Sequence, residues 1–346
     1  MNTLFRIMIT FIFIQYVAYT YTDSSNVRLN SKSNILNPKF FKWENITQNL
    51  ISDMYKPQVS VSLYYSEGYK YKYSEGATPH LDINMGQEFP IISFGNNFSR
   101  DTDGDMAGDW IFAYWMSINF NVFWDFLGDN SPIVNTDYRF HLFRLKFAYI
   151  LENDLKVYAF LGGGHESTHL GDEFVINARK KYGNEFNRIN VSWEYLDSYI
   201  GIGDKNNKWD IQVGFFIPYY LTSDDSFYSI DPIESPNGDI LSTISDVESC
   251  FIGGQYTFLK IWDNWDLFIS TDLRRRTQFT YSEINEKKVN CINLNSGFLY
   301  RHESTRLPVM GISFRYYNGI NPHGQFRDEP DFIHFGLNIF LLMGAI

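Results

Sequence analysis

Residues 110–126 read WIFAYWMSINFNVFWDF. Trp110, Phe112, Tyr114, Met116, Ile118, Phe120, Val122, Trp124 and Phe126 occupy every second position, and Ser117, Asn119, Asn121 and Asp125 lie among the residues between them. A helix would scatter those apolar side chains around its circumference, whereas a strand collects them on one face. Soluble strands are mostly shorter than this, and about 9–11 tilted residues already cross a bilayer's hydrocarbon core. The stretch therefore predicts a strand with one face toward lipid.

The same period of two recurs outward from this stretch. Trp209, Ile211, Val213, Phe215 and Ile217 share a face; Trp265, Leu267, Ile269 and Leu273 oppose Asp266, Ser270, Asp272 and Arg274; and Ile333, Phe335, Leu337, Ile339 and Leu341 oppose His334, Gly336 and Asn338. Clusters of Gly, Pro, Asn and Asp separate these runs, as turns require. A polyamide with one wet and one oily face cannot leave strand edges in hydrocarbon, so the sheet must close. At roughly 25–28 residues per strand and connection, the expected fold is all-β: one antiparallel transmembrane β-barrel of about 12 strands.

Composition agrees with a barrel better than with a helical membrane protein. Hydrophobic residues make up 44% of the 346, aromatics 18%, and mean hydropathy is −0.27, because only alternate residues need be apolar. A net charge of −11 argues against a nucleic-acid partner. The first residues, MNTLFRIMITFIFIQYVAYTYTDSS, place Arg6 before the apolar run Ile7 to Ile14 and small or hydroxylated residues after it. This reads as a secretory signal peptide over residues 1–22, too short in its apolar part to span a bilayer as a helix. A polar lead-in over residues 23–56 and a barrel over residues 57–346 follow, in the outer membrane of a diderm bacterium with its lipid as partner. Cys250 and Cys291 are free to pair or not in such a compartment.

Reactive side chains concentrate in YAFLGGGHESTHLGDEFVINARKKYGNEFNRINVS, residues 158–192. His165 and Ser167 are two apart and so share a strand face, next to the run Gly162, Gly163, Gly164, which removes bulk beside them. A serine becomes a nucleophile when an imidazole takes its proton and a third group orients the imidazole. On the following predicted strand, Asn190 and Glu194 are the candidates for that third role. Arg188, Asn190, Ser192 and Glu194 are expected to face the lumen, with Ile189, Val191 and Trp193 toward lipid. On the bland reading, His165 and Ser167 are polar residues of the lumen rim. Asp101, Asp103, Asp105 and Asp109 form a second candidate site, since alternating carboxylates in a tight loop suit calcium, although Met106 stands where an EF-hand glycine belongs.

HESTHLGDEF with RINVSWEY resembles an uncharacterised family of bacterial outer-membrane barrels whose core reads H-x-S-[ST]-H-L-G-D-E followed by R-I-N-x-S-x-E. NTDYRF at Asn135 to Phe140 and YYNGINPHGQF at Tyr316 to Phe326 extend the resemblance across residues 81–341. It implies an outer-membrane barrel and no particular reaction. The pair His165 and Ser167 also resembles the H-x-S of outer-membrane phospholipase A and of lipid A deacylases, with Thr168 and His169 where Asn-Gly often follows. The leading expectation is a non-enzymatic pore, binding or envelope-assembly barrel. The alternative is a serine acyl-ester hydrolase of envelope lipid using His165, Ser167 and either Asn190 or Glu194.

Overall fold

The computed structural model describes residues 39–40, 57–67, 78–95, 108–127, 131–151, 154–182, 189–219, 228–230, 240–242, 249–277, 288–301, 309–323 and 331–342. The proposed signal peptide, and nearly all of the lead-in, lie outside them. In chain order the strands are β1 (Lys39–Phe40), β2 (Val59–Glu67), β3 (Thr78–Gly95), β4 (Trp110–Trp124), β5 (Ile133–Ile150), β6 (Leu155–Leu170), β7 (Ile189–Asp204), β8 (Trp209–Tyr219), β9 (Tyr228–Ile230), β10 (Ile240–Ser242), β11 (Ser249–Trp262), β12 (Trp265–Thr277), β13 (Lys288–Tyr300), β14 (Val309–Gly319) and β15 (Phe332–Leu342). One helix, α1 (Asp172–Tyr182), lies between β6 and β7.

Antiparallel pairing runs β2 to β8, then β11 to β15, and β15 returns to β2, which closes a barrel of 12 strands. The seam is joined by register pairs from Ile333↔Glu67 to Leu341↔Val59, and inside it the Ser62 hydroxyl donates to Asn338 Oδ1 at 2.6 Å. Closure satisfies every edge that an open sheet would expose to lipid. Outside the ring, β1 pairs with β3, β9 with the start of β7, and β10 with β9.

Side chains sort by parity across the wall. Ile111, Ala113, Trp115, Ser117 and Asn119 of β4 are buried inside, while Phe112 points out and is exposed. Ile211, Val213, Phe215 and Ile217 of β8, Ile269 and Leu273 of β12, and Phe335, Leu337 and Ile339 of β15 are likewise exposed apolar residues. At one end Trp262 stacks on Phe298 and Trp265 packs on Tyr300, the aromatic rim expected at a membrane interface. The molecule is a transmembrane β-barrel of the outer-membrane type.

That rim end also carries the short connections, residues 151–154, 205–208 and 263–264; the opposite end carries α1 and the span 220–248. In barrels of this kind short turns are periplasmic and long loops extracellular. The helix begins with Asp172 and Glu173 in its first turn, which complements the dipole, and buries Phe174, Val175 and Ala178 against Phe123, Val134, Leu170, Tyr317, Ile320 and Phe332. It caps the long-loop end. The sequence carries the signal for this helix in the acidic first turn, the apolar i, i+1, i+4 set and Arg179-Lys180 near the end.

The interior combines apolar clusters, such as Ile111, Ala113, Trp115 and Phe160, with buried polar groups, several of them paired. Glu88 takes ion pairs from Arg144 and from Lys146 at 2.7 Å; Arg139 meets Glu166 at 3.1 Å; Arg315 donates to Tyr64 at 3.0 Å. Arg144 is 0% exposed and lies over the Phe160 ring, and Lys146 lies over Trp115. Cations this deep persist only where carboxylates and aromatic faces replace water. Cys250 is exposed, Cys291 buried, and both are free thiols.

Candidate active site on the outer wall

Parity in β6 runs opposite to what a lumenal site requires. Lys156, Tyr158, Phe160, Glu166 and Thr168 are buried inside, so His165, Ser167 and His169 project outward with Leu161. The partner strand makes the same point. Trp193 is 1% exposed and its indole donates to Glu166 at 3.3 Å inside the barrel. The expectation that Trp193 faces lipid, with Ser192 and Glu194 lumenal, is therefore corrected by one residue. The cause is visible inside, where Glu166 needs both the Arg139 guanidinium and the indole N–H to be tolerated in the wall's interior.

On the outside, His165 pairs in register with Glu194, and its Nδ1 lies 3.3 Å from the Glu194 carboxylate. Ser167 pairs with Tyr138 on one side and Ser192 on the other. Its hydroxyl lies 3.1 Å from Nε2 of His169, not beside His165. The His169 ring stands edge-on to Tyr138, at 5.7 Å between centroids. A serine flanked by two imidazoles, one holding the serine and the other a carboxylate, thus occupies a wall whose exposed side chains are mostly Leu, Ile, Val and Phe. The His165 side chain is 42% exposed and that of Glu194 19%, so both can be reached from the membrane side.

The four groups stand in the last turns of the ladder before α1, at the long-loop end. Asn190 contributes backbone to β7 and pairs with Ser229 of β9. Arg188, Asp101, Asp103 and Asp105 lie outside the described residues. Asp109 accepts a backbone bond from Ile150 at the short-connection end, across the membrane from Ser167. Among the described residues no group of three or more His, Cys, Asp or Glu side chains is arranged to hold a metal.

The glycine run does not open a path to substrate. A Cβ on Gly163 would meet the Phe143 ring at 2.5 Å, and one on Gly164 would meet the Phe140 carbonyl oxygen at 2.2 Å. Phe143 follows a register shift in β5 and fills the space over Gly163. The glycines let two strands and a ring approach closely.

A second serine–histidine–aspartate alignment, not anticipated from the sequence, lies inside. Ser117 Oγ is 2.9 Å from His141 Nδ1, and His141 Nε2 is 3.3 Å from Asp197. Ser117 is 1% exposed and Arg144 and Tyr195 close around it, so this alignment binds β4, β5 and β7 together without access for a substrate.

No family model matches this chain, so the resemblance to an uncharacterised barrel family stands on its motif residues alone. No curated protein matches either. Among solved structures, outer membrane phospholipase A from Escherichia coli is 12% identical, with 87% of this chain and 96% of that one covered and a TM-score of 0.48. The NanC porin is 10% identical, covering 82% and 100%, with a TM-score of 0.38. LpxR from Salmonella typhimurium is 10% identical over 82% and 100%, with a TM-score of 0.34. These are likenesses to barrels of differing activity; the fold here rests on the closed ladder itself and the chemistry on the geometry of the wall.

Proposed function

We propose that the barrel is a serine acyl-ester hydrolase acting on lipid that reaches it sideways from the membrane, with Ser167 as nucleophile. The observation that carries the reading is the cluster on the outer wall: Ser167 within hydrogen-bond reach of one imidazole, and a second imidazole on a carboxylate. Polar groups facing lipid carry a desolvation cost that apolar side chains do not, so a cluster of them on the outer wall marks a site. Ser167 Oγ attacks the ester carbonyl as a flanking imidazole takes its proton, the alcohol leaves with that proton, and water then releases the acid by the reverse sequence. Glu194 orients His165. A lipid ester in the leaflet at the long-loop end lies at the height of these groups, and its acyl chains run along the apolar wall below them.

Burial of the inward side chains supports this reading over passage of solutes, because Arg144, Lys146, Lys156, Arg139 and Arg315 are all shielded from water among their neighbours on the inner wall. Refolded protein in micelles is assayed on phospholipid and on lipid A beside Ser167→Ala. Ester hydrolysis by the native chain and its loss in the variant is the expected result; equal release by both, or none by either, overturns the reading.

A further inference from the structure

We infer that the two histidines divide the work at Ser167: His169 is the base that takes the serine proton, and the His165–Glu194 pair is the hydrogen-bond donor that stabilises the oxyanion. This deepens the hydrolase reading and rests on it.

The geometry separates the two rings. His169 Nε2 is 3.1 Å from Ser167 Oγ, and the ring stands edge-on to Tyr138. His165 has its Nδ1 on Glu194, the residue directly opposite it in the ladder. Two positions on either side of the serine, on one strand face, bracket whatever is bonded to Oγ.

The ladder supplies the second reason. Acyl transfer needs donors aimed at the oxygen that becomes negative, and most folds supply backbone N–H groups from a turn or a helix N-terminus. Ser167 has no such turn beside it. Residues His165 to Thr168 pair with β5 on one side and β7 on the other, so their N–H groups are spent in the sheet. The donor must therefore be a side chain on the same face. As an imidazolium, His165 donates Nδ1–H to Glu194 and Nε2–H outward to the oxyanion.

The electron and proton balance follows. The Oγ–H proton passes to His169 Nε2 as the Oγ–C bond forms, and the carbonyl pair moves onto oxygen beside His165. Collapse breaks the ester C–O bond, and the leaving alkoxide takes the proton from His169. Water repeats both halves on the acyl-enzyme.

The roles predict opposite limbs of one pH profile. Neutral His169 gives the rising limb, and protonated His165 the falling limb. Tyr138 from β5 and Glu194 from β7 are the other titratable groups at these rings. The experiment is phosphonylation of Ser167 by a fluorophosphonate carrying an alkyl chain, followed against pH in micelles for the native chain, His169→Asn, His165→Asn and Ser167→Ala. Heat-modifiable mobility on gels checks that each variant is folded. A bell-shaped native profile is expected; His169→Asn loses the rising limb and roughly 10²–10⁴ in rate. His165→Asn keeps the rising limb, loses the falling one, and drops by about 10²–10³ at its plateau. Exchange of the two limbs between the variants overturns the division of roles, as does labelling of both at the native rate, and in either case Ser167 remains the reactive group. A folded native chain that resists the probe removes the hydrolase reading and this inference together.

Discussion

Trp193 and Glu194 are chain neighbours on opposite sides of the wall: the indole donates inward to Glu166 at 3.3 Å, and the carboxylate reaches outward to His165 at 3.3 Å. One residue anchors the strand in the barrel's interior, and the next presents a charge to the membrane side. The register of β7 on β6 is thereby tied to the orientation of the site, since a slip of one residue would exchange the two.

The inward half of that relationship is testable through Glu166, which is 1% exposed and receives both the Trp193 indole and the Arg139 guanidinium. Glu166→Ala leaves a buried guanidinium without its carboxylate, and the expected cost is about 3–5 kcal/mol. Equilibrium unfolding in urea with detergent or vesicles measures it. Glu166→Gln, which keeps an acceptor for both donors, is expected to lose distinctly less; equal losses would mean that the site depends on shape and not on charge.

The glycines beside the site give a second prediction. A methyl at Gly164 would fall 2.2 Å from the Phe140 carbonyl oxygen, backbone that cannot rotate away, where β5 shifts register. Gly164→Ala is expected to cost about 1–3 kcal/mol and to reduce the folded fraction on unheated gels. At Gly254 the nearest atom would be the Asp210 carbonyl oxygen at 3.3 Å, so Gly254→Ala serves as a milder control, within about 1 kcal/mol of the native chain.

The alternation in residues 110–126 was enough to find the barrel because lipid on one face and packed polar groups on the other impose a period of two along every strand. It also oriented β8 and β15, whose outward faces are apolar, and most of β12, where Thr271 and Arg275 share the outward face with Leu267, Ile269 and Leu273. It failed where both faces carry polar groups. Around His165 to His169 and Ser192 to Tyr195, the inner face holds Glu166 and Thr168 and the outer face His165, Ser167 and Glu194, so a rule that sends polar residues inward chooses a face at random. The large aromatic was misleading for the same reason: an indole has an N–H, and Trp193 is inside because a buried carboxylate needs that donor. The sequence offered Asn190 or Glu194 as the partner of His165 and put both in the lumen; the contact of Ser167 with His169 depends on rotamers that spacing does not reveal.

Burial of the inward side chains predicts electrical silence. On the inner wall Arg144 and Lys146 of β5 reach over β4 to Glu88 of β3, and Arg315 of β14 reaches over β15 to Tyr64 of β2, all of them buried. Native protein reconstituted in planar bilayers is expected to give no stepwise conductance at ordinary potentials. Regular open levels, sustained and blocked by large solutes, would show that the packing among these residues opens in the membrane.

The outer wall itself separates a working site from a structural one. If His165 and Glu194 were placed for stability, apolar replacements would cost the fold their side-chain contact between β6 and β7. If they are placed for chemistry, the wall sustains them at a loss, because strands facing lipid favour apolar side chains and the penalty for charge falls to about 0–1 kcal/mol near an interface. His165→Leu combined with Glu194→Leu is therefore expected to leave the barrel as stable as the native chain or up to about 2 kcal/mol more so, while ester hydrolysis falls by about 10²–10³ or more. Unfolding in urea from vesicles measures the first quantity, and micelle assays the second. The neighbouring Trp193→Leu, one residue away and inward, is expected to lose about 3 kcal/mol or more as the indole volume and the bond to Glu166 go together. A loss of stability in the His165–Glu194 double variant as large as that of Trp193→Leu would make the outer pair a strut of the barrel and take the carboxylate out of the chemistry.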